Sequence, residues 1–201
     1  MGCVKLLKGI DLTCDNGWKN KYYQNVVLIN RADVEGFNII TNNDEHRIKF
    51  NLLTGKTGVL FQASELKDLL SASFTKSNSK GIPYYDHKMQ IAVVGTNEYV
   101  KTLLKQVDNS NYFGAIQFKN GDIEIYGFEN GLKSDGYDYQ AQGGIGGAPI
   151  NLSSVISEYE PPYLYKGTGN DTDDFNNLFG NIPSVLNGDF NNDYNDDFFI
   201  L

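Results

Sequence analysis

The sequence predicts a mainly β protein of α+β type: an antiparallel β-sandwich or barrel, one flanking helix at about residues 97–107, and an extended acidic C-terminal tail. Three observations lead to this prediction. Short runs rich in β-branched and aromatic residues recur along most of the chain. Only one stretch carries apolar residues at helical spacing. From Thr168 onwards the periodicity ends and Asn and Asp dominate, which is the composition of a segment without its own core.

Composition divides the 201 residues into an N-terminal arm at 1–24, a β-sandwich domain at 25–167 and an acidic extension at 168–201. The chain has 25 acidic and 17 basic residues, and seven Asp but no Lys or Arg lie in the extension. The other residues are therefore almost neutral, with 18 acids against 17 bases. No basic patch is visible, which argues against nucleic-acid binding by phosphate neutralisation. A neutral body favours packing between copies.

The first half of the domain contains four short segments with strand composition. We expect strands at Asn25–Asn30, Phe37–Thr41, His46–Leu53 and Val59–Ala63. The last two flank a loop that contains Gly55 and Gly58, which predicts a hairpin between them. The stretch from Ser64 to Ser79 fits either a short helix or an extended segment.

The segment Gly81–Leu132 gives the clearest local signals. Pro83 marks the entry to a long strand that runs through Lys88–Gly95, because proline cannot donate to a ladder. Thr96 is the expected N-cap of a helix at Asn97–Val107. Its apolar positions form one stripe that we assign to core packing: Tyr99, Val100, Leu103, Leu104 and Val107.

Two further strands, Ala115–Phe118 and Asp122–Phe128, flank Lys119-Asn120-Gly121, and Asn-Gly between alternating apolar runs is a strong hairpin signal. We expect a flexible loop at Gln140–Pro149. The last strand is expected at Ile150–Glu160, before Pro161-Pro162.

The sequence predicts no catalytic residue, no cofactor site and no metal site. His46 and His87 have no metal-ligand cluster around them, and Asp86 and His87 fall on opposite faces of a strand. The glycine-rich run Gly143–Gly147 lacks the residues of a phosphate-binding loop. Cys3 and Cys14 are expected to be reduced thiols. We also expect no signal peptide and no membrane anchor.

Asp189–Asn195 places oxygen-bearing side chains at alternate positions, as in the first half of an EF-hand loop. The pattern then fails, because Tyr194 stands where the loop needs glycine and Ile200 where it needs glutamate. We therefore predict no calcium site here.

The acidic extension allows two interpretations: a solvating tail, or a peptide that docks on a neighbouring subunit. Apolar side chains scattered through it favour docking, and a segment ending in two Phe, Ile and Leu is unusual for a solvating tail. The candidate interface residues are Phe175, Leu178, Phe179, Phe190, Phe198, Phe199, Ile200 and Leu201.

The stretch from Lys88 to Lys166 resembles the tail-tube-like virion proteins of bacteriophages, including crAss-like phages of gut Bacteroidetes. The resemblance rests on the strand KMQIAVVG, the helix TNEYVKTLLKQV, the hairpin AIQFKNGDIEIYGFENGL and the segment INLSSVISEYEPPYLYKG. It implies a β-sandwich that assembles into a homo-oligomeric ring around a DNA channel. Sixfold and twelvefold rings are both compatible with it. The acidic extension departs from a plain tube subunit and suggests a specialised ring or adaptor.

From this resemblance we expect a non-enzymatic structural protein of the virion tail, made in the host cytoplasm. Its expected partners are other copies of itself, adjacent tail or portal-vertex proteins, and DNA as non-specific passing cargo. The alternative is a monomeric β-sandwich that binds carbohydrate or peptide on a Tyr-rich face. An enzyme is the third interpretation, and a pocket holding His87 beside a carboxylate would favour it.

Overall fold

The computed structural model describes residues 23–41, 45–62, 70–95, 97–118, 121–140, 147–166 and 177–178. Strands dominate, and one α-helix and one short 3-10 helix accompany them. The strands are β1 (Tyr23–Asn30), β2 (Val34–Thr41), β3 (His46–Leu52), β4 (Val59–Gln62), β5 (Ser71–Ser79), β6 (Ile82–Val94), β7 (Tyr112–Phe118), β8 (Ile123–Tyr126), β9 (Leu132–Tyr137), β10 (Gly147–Ser154) and β11 (Tyr163–Tyr165). Helix α1 spans Glu98–Asn109, and the 3-10 helix spans Arg31–Asp33.

All eleven strands belong to one open mixed sheet. Its path runs β2-β3-β11-β8-β7-β9-β10-β6-β5, and β1 branches from β7 and pairs with β4 on its other side. The link between β7 and β9 is a single pair, Tyr112 with Leu132, so the path is narrow there. The path ends at β2 and at β5, and the branch ends at β4.

Two apolar clusters lie on opposite faces of the central strands β1 and β7. On β1, alternation sends Val26 and Leu28 to one face and Val27 and Ile29 to the other. The first cluster adds residues from β6, β9, β10 and α1. The second adds residues from β3, β8 and β11, and it also contains Leu178. A strand buried on both faces reads as a continuous apolar run, as the sequence VVLI of β1 does.

Helix α1 packs on the first cluster through Val100, Leu103, Leu104 and Val107, so the helix prediction and most of its stripe are confirmed. Tyr99 is an exception, because its side chain is 60% exposed. The cap also differs from the prediction. Asn97 rather than Thr96 is the N-cap, and its side-chain oxygen accepts a hydrogen bond from Val100 N at 2.9 Å. The prediction placed the cap one residue too early, although asparagine is at least as good an N-cap as threonine.

The predicted hairpin around Asn120-Gly121 is confirmed as β7–β8, and Gly121 has a φ of 96°. The long strand that Pro83 begins is also confirmed as β6. It forms a hairpin with β5 across Lys80-Gly81, whose φ angles of 51° and 84° give the type I′ geometry that suits a twisted ribbon. The extended alternative for the preceding segment therefore holds from Ser71 to Ser79.

Three predictions about strands are wrong. β3 and β4 form no hairpin, because β3 pairs with β2 and β11 while β4 pairs with β1. The sheet is not wholly antiparallel, since β11 runs parallel to β3. The segment before Pro161 does not hold the last strand: β10 ends at Ser154 and β11 follows the prolines. The parallel pairing joins segments far apart in the sequence, which short-range turn signals do not specify, whereas the other two errors are a local turn signal and a strand boundary that were misjudged.

Among the described residues, no helix is long and apolar enough to cross a membrane.

Candidate functional site

The most site-like feature is a buried polar cluster where the segment Val155–Glu160, here called the strap, crosses β6. β10 pairs with β6 only as far as Lys88, so the preceding residues of β6 need another neighbour. The strap supplies it. The backbone of Glu158 exchanges hydrogen bonds with the backbone of Tyr85 at 2.7 and 2.8 Å, and His87 N donates to the Ser154 hydroxyl at 3.0 Å.

Two titratable side chains, His87 and Glu158, meet beneath the strap, and both are fully buried. His87 Nδ1 lies 3.5 Å from Glu158 Oε2. Alternate residues of a strand point to the same face, so His87 faces the core together with Met89, Ile91 and Val93. Asp86 lies on the other face of β6, where its carboxylate accepts a hydrogen bond from the Ser157 hydroxyl.

Together the two side chains bind the turn between β8 and β9. Gly127 N donates to His87 Nδ1 at 3.0 Å, while Glu129 N and Asn130 N both donate to Glu158 Oε1 at 3.2 Å. An imidazole nitrogen that accepts an N–H bond carries no proton, so the histidine is neutral with its proton on Nε2. Three backbone donors of one turn are thus satisfied by two side chains from distant parts of the chain.

Burial shifts both titrations strongly. It lowers the pKa of His87 to about 4, against the opposing effects of the Glu160 backbone and the Glu129 and Asp86 carboxylates. It raises the pKa of Glu158 to about 7, although the Asn130 and Glu129 N–H groups and Arg31 favour the charged form. Near pH 5.5 the folded protein therefore holds a neutral imidazole beside a protonated carboxyl, the reverse of their protonation in water.

A second set of contacts ties β11 to the same turn. The Tyr163 hydroxyl donates to Glu129 Oε1 at 3.0 Å, and Tyr159 N donates to Glu129 Oε2 at 3.2 Å. Burial, followed by the nearby Glu129 carboxylate, raises the pKa of the Tyr163 hydroxyl. The Tyr163 ring stacks on His46 with centroids 4.6 Å apart. Glu129 is therefore the link between the strap and β11.

A histidine beside a carboxylate is the arrangement used in general acid–base catalysis. Here both side chains have no exposed surface, so a substrate cannot touch them in this conformation. Two buried polar atoms, His87 Nε2 and Glu158 Oε2, form no hydrogen bond of normal geometry with any described residue. The arrangement thus acts on the chain itself: it holds the β8–β9 turn and the strap against β6.

A shallow cavity of about 250 Å³ lies elsewhere, beside the edge strand β2. It is lined by Arg31, Val34, Glu35, Gly36, Phe37 and Phe128. The Phe37 ring meets Phe128 edge to face at 5.2 Å between centroids, and the Arg31 guanidinium lies 5.7 Å from the Phe128 centroid. This volume is below the usual range for ligand pockets, about 300–1,000 Å³.

Of the eight residues predicted to form a subunit interface, only Leu178 lies within the described part of the chain. It is buried in the second apolar cluster of its own chain, and its backbone oxygen accepts a hydrogen bond from Gly58 N at 2.7 Å. The other seven, Phe175, Phe179, Phe190, Phe198, Phe199, Ile200 and Leu201, lie outside the described residues. So do Asp189–Asn195, Cys3 and Cys14.

Within the ranges that the structure describes, no group of three or more His, Cys, Asp or Glu side chains is placed to hold a metal ion. The glycine-rich run is described only at Gly147, which begins β10 rather than a loop.

Comparison of the chain with protein-family models, with curated proteins and with solved structures finds no match.

Proposed function

We propose that this chain is a non-enzymatic structural protein of a bacteriophage tail, where copies assemble into a ring around the DNA channel. The observation that carries the proposal is the open sheet with a strand edge at each end. β2 pairs only with β3 among the described strands, and β5 pairs only with β6. Unpaired edges are templates for pairing with another chain, and head-to-tail pairing of two different edges gives a ring when the rotation between successive copies closes.

The character of the two edges supports this role. The ladder of β2 is regular from Gly36 to Thr41, with a bulge before it, and β5 is exposed along most of its length. Each edge strand carries an exposed aromatic ring, Phe37 on β2 and Phe74 on β5, 60% and 46% exposed respectively. Exposed aromatic rings are enriched at protein interfaces. The near-neutral charge outside the extension adds little repulsion between copies.

The proposed protomer is a β-sandwich. Side chains from β1 and β7, such as Val26 and Ile116, share the first apolar cluster with Ile91 of β6 and Ile150 of β10. Two parts of one path that bury a common cluster are expected to face each other as layers. In this arrangement α1 covers one margin of the shared core.

In the proposed particle, the C-terminal extension docks on neighbouring subunits, and adjacent tail or portal-vertex proteins stack on the ring. DNA is passing cargo, and a lining without a basic patch lets it slide. The direct test is electron microscopy of the purified full-length protein. Annular particles with an opening wide enough for duplex DNA are expected, and a uniform population of single protomers contradicts the proposal.

A second function, a monomeric binding module for carbohydrate or peptide, is favoured by the cavity beside β2, because Phe37 and Arg31 offer an aromatic face and a cation there. Glycan-array and peptide-library binding by the wild-type chain and by Phe37→Ala distinguishes the two. If the wild-type chain stays monomeric and binds a ligand that Phe37→Ala no longer binds, the binding module is supported and the ring is contradicted.

A further inference from the structure

One face of the β5–β6 hairpin continues beyond the core, and past His87 no described residue buries it fully. Cross-strand partners share a face of a sheet. On this face Ala72 pairs with Met89 in the first cluster, Phe74 then pairs with His87, and Lys76 pairs with Tyr85. Exposure rises along this series, since Met89 is buried while Phe74 is 46% exposed and Lys76 is exposed.

The uncovered face, here called the hairpin face and formed by Phe74, Lys76 and Tyr85, combines aromatic surface with a cation. The rings of Phe74 and Tyr85 lie 5.9 Å apart between centroids, nearly edge to face. Lys76 stands directly opposite Tyr85. The sequence from Ser71 to Tyr85 contains Lys76 and Lys80 and no acidic residue. The surface therefore suits a ligand with an aromatic ring next to a carboxylate.

The chain itself contains that chemistry in its acidic extension. The dipeptide Asp-Phe occurs three times, at 174–175, 189–190 and 197–198, and nowhere else in the sequence. The first ends three residues before Leu178 in the sequence, and Leu178 belongs to the second cluster. The last lies 19 residues beyond Leu178, a distance that an extended chain spans over about 60 Å. Asp197-Phe198 therefore has the reach to leave its own protomer.

We propose that the hairpin face binds the segment Asp197-Phe198 of a second copy of this chain, an inference that rests on the ring assembly proposed above. The Asp197 carboxylate pairs with the Lys76 ammonium, and the Phe198 ring packs on Phe74 and Tyr85. The added contact area and the opposite charges of the two segments, basic hairpin and acidic extension, hold neighbouring protomers together.

The positions of the two apolar clusters favour an extension that comes from a second copy over the extension of the same chain. Leu178 lies in the second apolar cluster, whereas the hairpin face continues the first, and the central strands β1 and β7 separate the two clusters. An extension that starts on one side must pass round the sheet to reach its own hairpin face. The hairpin face of a second copy carries no such constraint, because its position is not tied to Leu178 of the first chain.

Charge reversal in the full-length chain tests this contact. We expect Lys76→Glu, and separately Asp196→Lys/Asp197→Lys, to weaken self-association about tenfold, the loss expected for about 1.4 kcal/mol. Lys88→Glu is the matched control, because Lys88 is exposed on the opposite face of the same hairpin and changes the net charge equally. Association is read from molar mass against concentration by light scattering.

Mixing the two charge-reversed chains identifies which copy provides the extension. In the mixture, the Lys76→Glu chain supplies an intact extension and the Asp196→Lys/Asp197→Lys chain supplies an intact hairpin. Restored association therefore supports docking between copies. If association is restored only in a chain that carries both changes and not in the mixture, the extension docks on its own hairpin. That result overturns the proposal. Wild-type association that Lys76→Glu leaves unchanged also overturns it, while the ring remains. If the wild-type chain does not associate at any concentration, the ring proposal itself is contradicted.

Discussion

His87 Nδ1 lies 3.5 Å from Glu158 Oε2, and neither side chain reaches solvent. The two residues are distant in sequence, and each accepts hydrogen bonds from the same turn. Burial lowers the pKa of His87 and raises that of Glu158, which predicts that folding moves a proton within the pair. In the unfolded chain near pH 5.5 the imidazole is protonated and the carboxyl is ionised, whereas in the folded chain the imidazole is neutral and the carboxyl is protonated.

The first prediction concerns the pH dependence of stability. Between about pH 4.5 and 6.5 the pair holds one proton in both the folded and the unfolded chain, so its net contribution to the pH slope is close to zero. His87 and Glu158 contribute opposite slopes to the free energy of unfolding against pH, and substituting either residue reveals the slope of the other. In Glu158→Gln only His87 remains, and the folded state binds fewer protons than the unfolded state. The free energy of unfolding then rises by about 3 kcal/mol as pH rises from about 4 to 6.5.

In His87→Asn only Glu158 remains, and the folded state binds more protons than the unfolded state. Its contribution is complete below about pH 4.5 and is lost as pH rises through about 7. Urea denaturation across this pH range measures both slopes, with the variant His87→Asn/Glu158→Gln as reference for all other groups. Slopes of the same sign in the two single variants contradict the proton relocation.

The second prediction concerns the turn that the pair binds. Gly127 donates to His87 with a φ of 73°, and a Cβ at this position would overlap the Leu132 side chain. We expect Gly127→Ala to lower the free energy of unfolding by about 2–5 kcal/mol, from backbone strain and overpacking together. Gly36→Ala is the control, because a Cβ there meets nothing within 4 Å. Equal effects at the two glycines on denaturant midpoints refute the packing argument.

The third prediction separates the internal role of the extension from its docking role. Leu178 is 2% exposed in the second cluster, so Leu178→Ala is expected to cost about 2–5 kcal/mol at any protein concentration. Its exposed neighbour provides the control, since Asn177→Ala should stay within about 0.5 kcal/mol. Chemical denaturation at two concentrations gives both values. A cost for Leu178→Ala that appears only where the chain associates would assign Leu178 to another subunit.

The end point of a truncated chain decides whether it tests docking or stability. A chain that ends after Lys166 loses Leu178 and part of its own core, so its failure to assemble proves nothing about docking. A chain that ends after Gly180 keeps Leu178 and lacks Asn181 and everything that follows, including Asp189 and Phe190. We expect this shorter chain to match the full-length protein in free energy of unfolding and to associate at least tenfold more weakly, measured by denaturation and light scattering.

Local features of the fold could be predicted from the sequence because their causes are local. The helix followed from the spacing of Val100, Leu103, Leu104 and Val107, and the β7–β8 hairpin followed from Asn120-Gly121. Pairing between distant segments could not be predicted, as the parallel contact of β11 with β3 illustrates. No turn signal connects residues that meet through a long return of the chain.

The buried pair shows the same division. Strand alternation places His87 on the face of Met89 and Ile91, which is a sign that a polar residue lies in the core. Nothing in the sequence indicates that Glu158 is its neighbour, because the strap reaches β6 only after β10 has ended. The place of Leu178 was missed for a similar reason: its apolar side chain was noticed, but its partners belong to β3, β8 and β11.

The molar mass of the wild-type, full-length chain, measured by size-exclusion chromatography with light scattering over a wide concentration range, tests the central claim most directly. The ring proposal predicts a discrete mass that is a fixed multiple of 22.5 kDa and that persists on dilution into the micromolar range. A mass of 22.5 kDa at every concentration contradicts it.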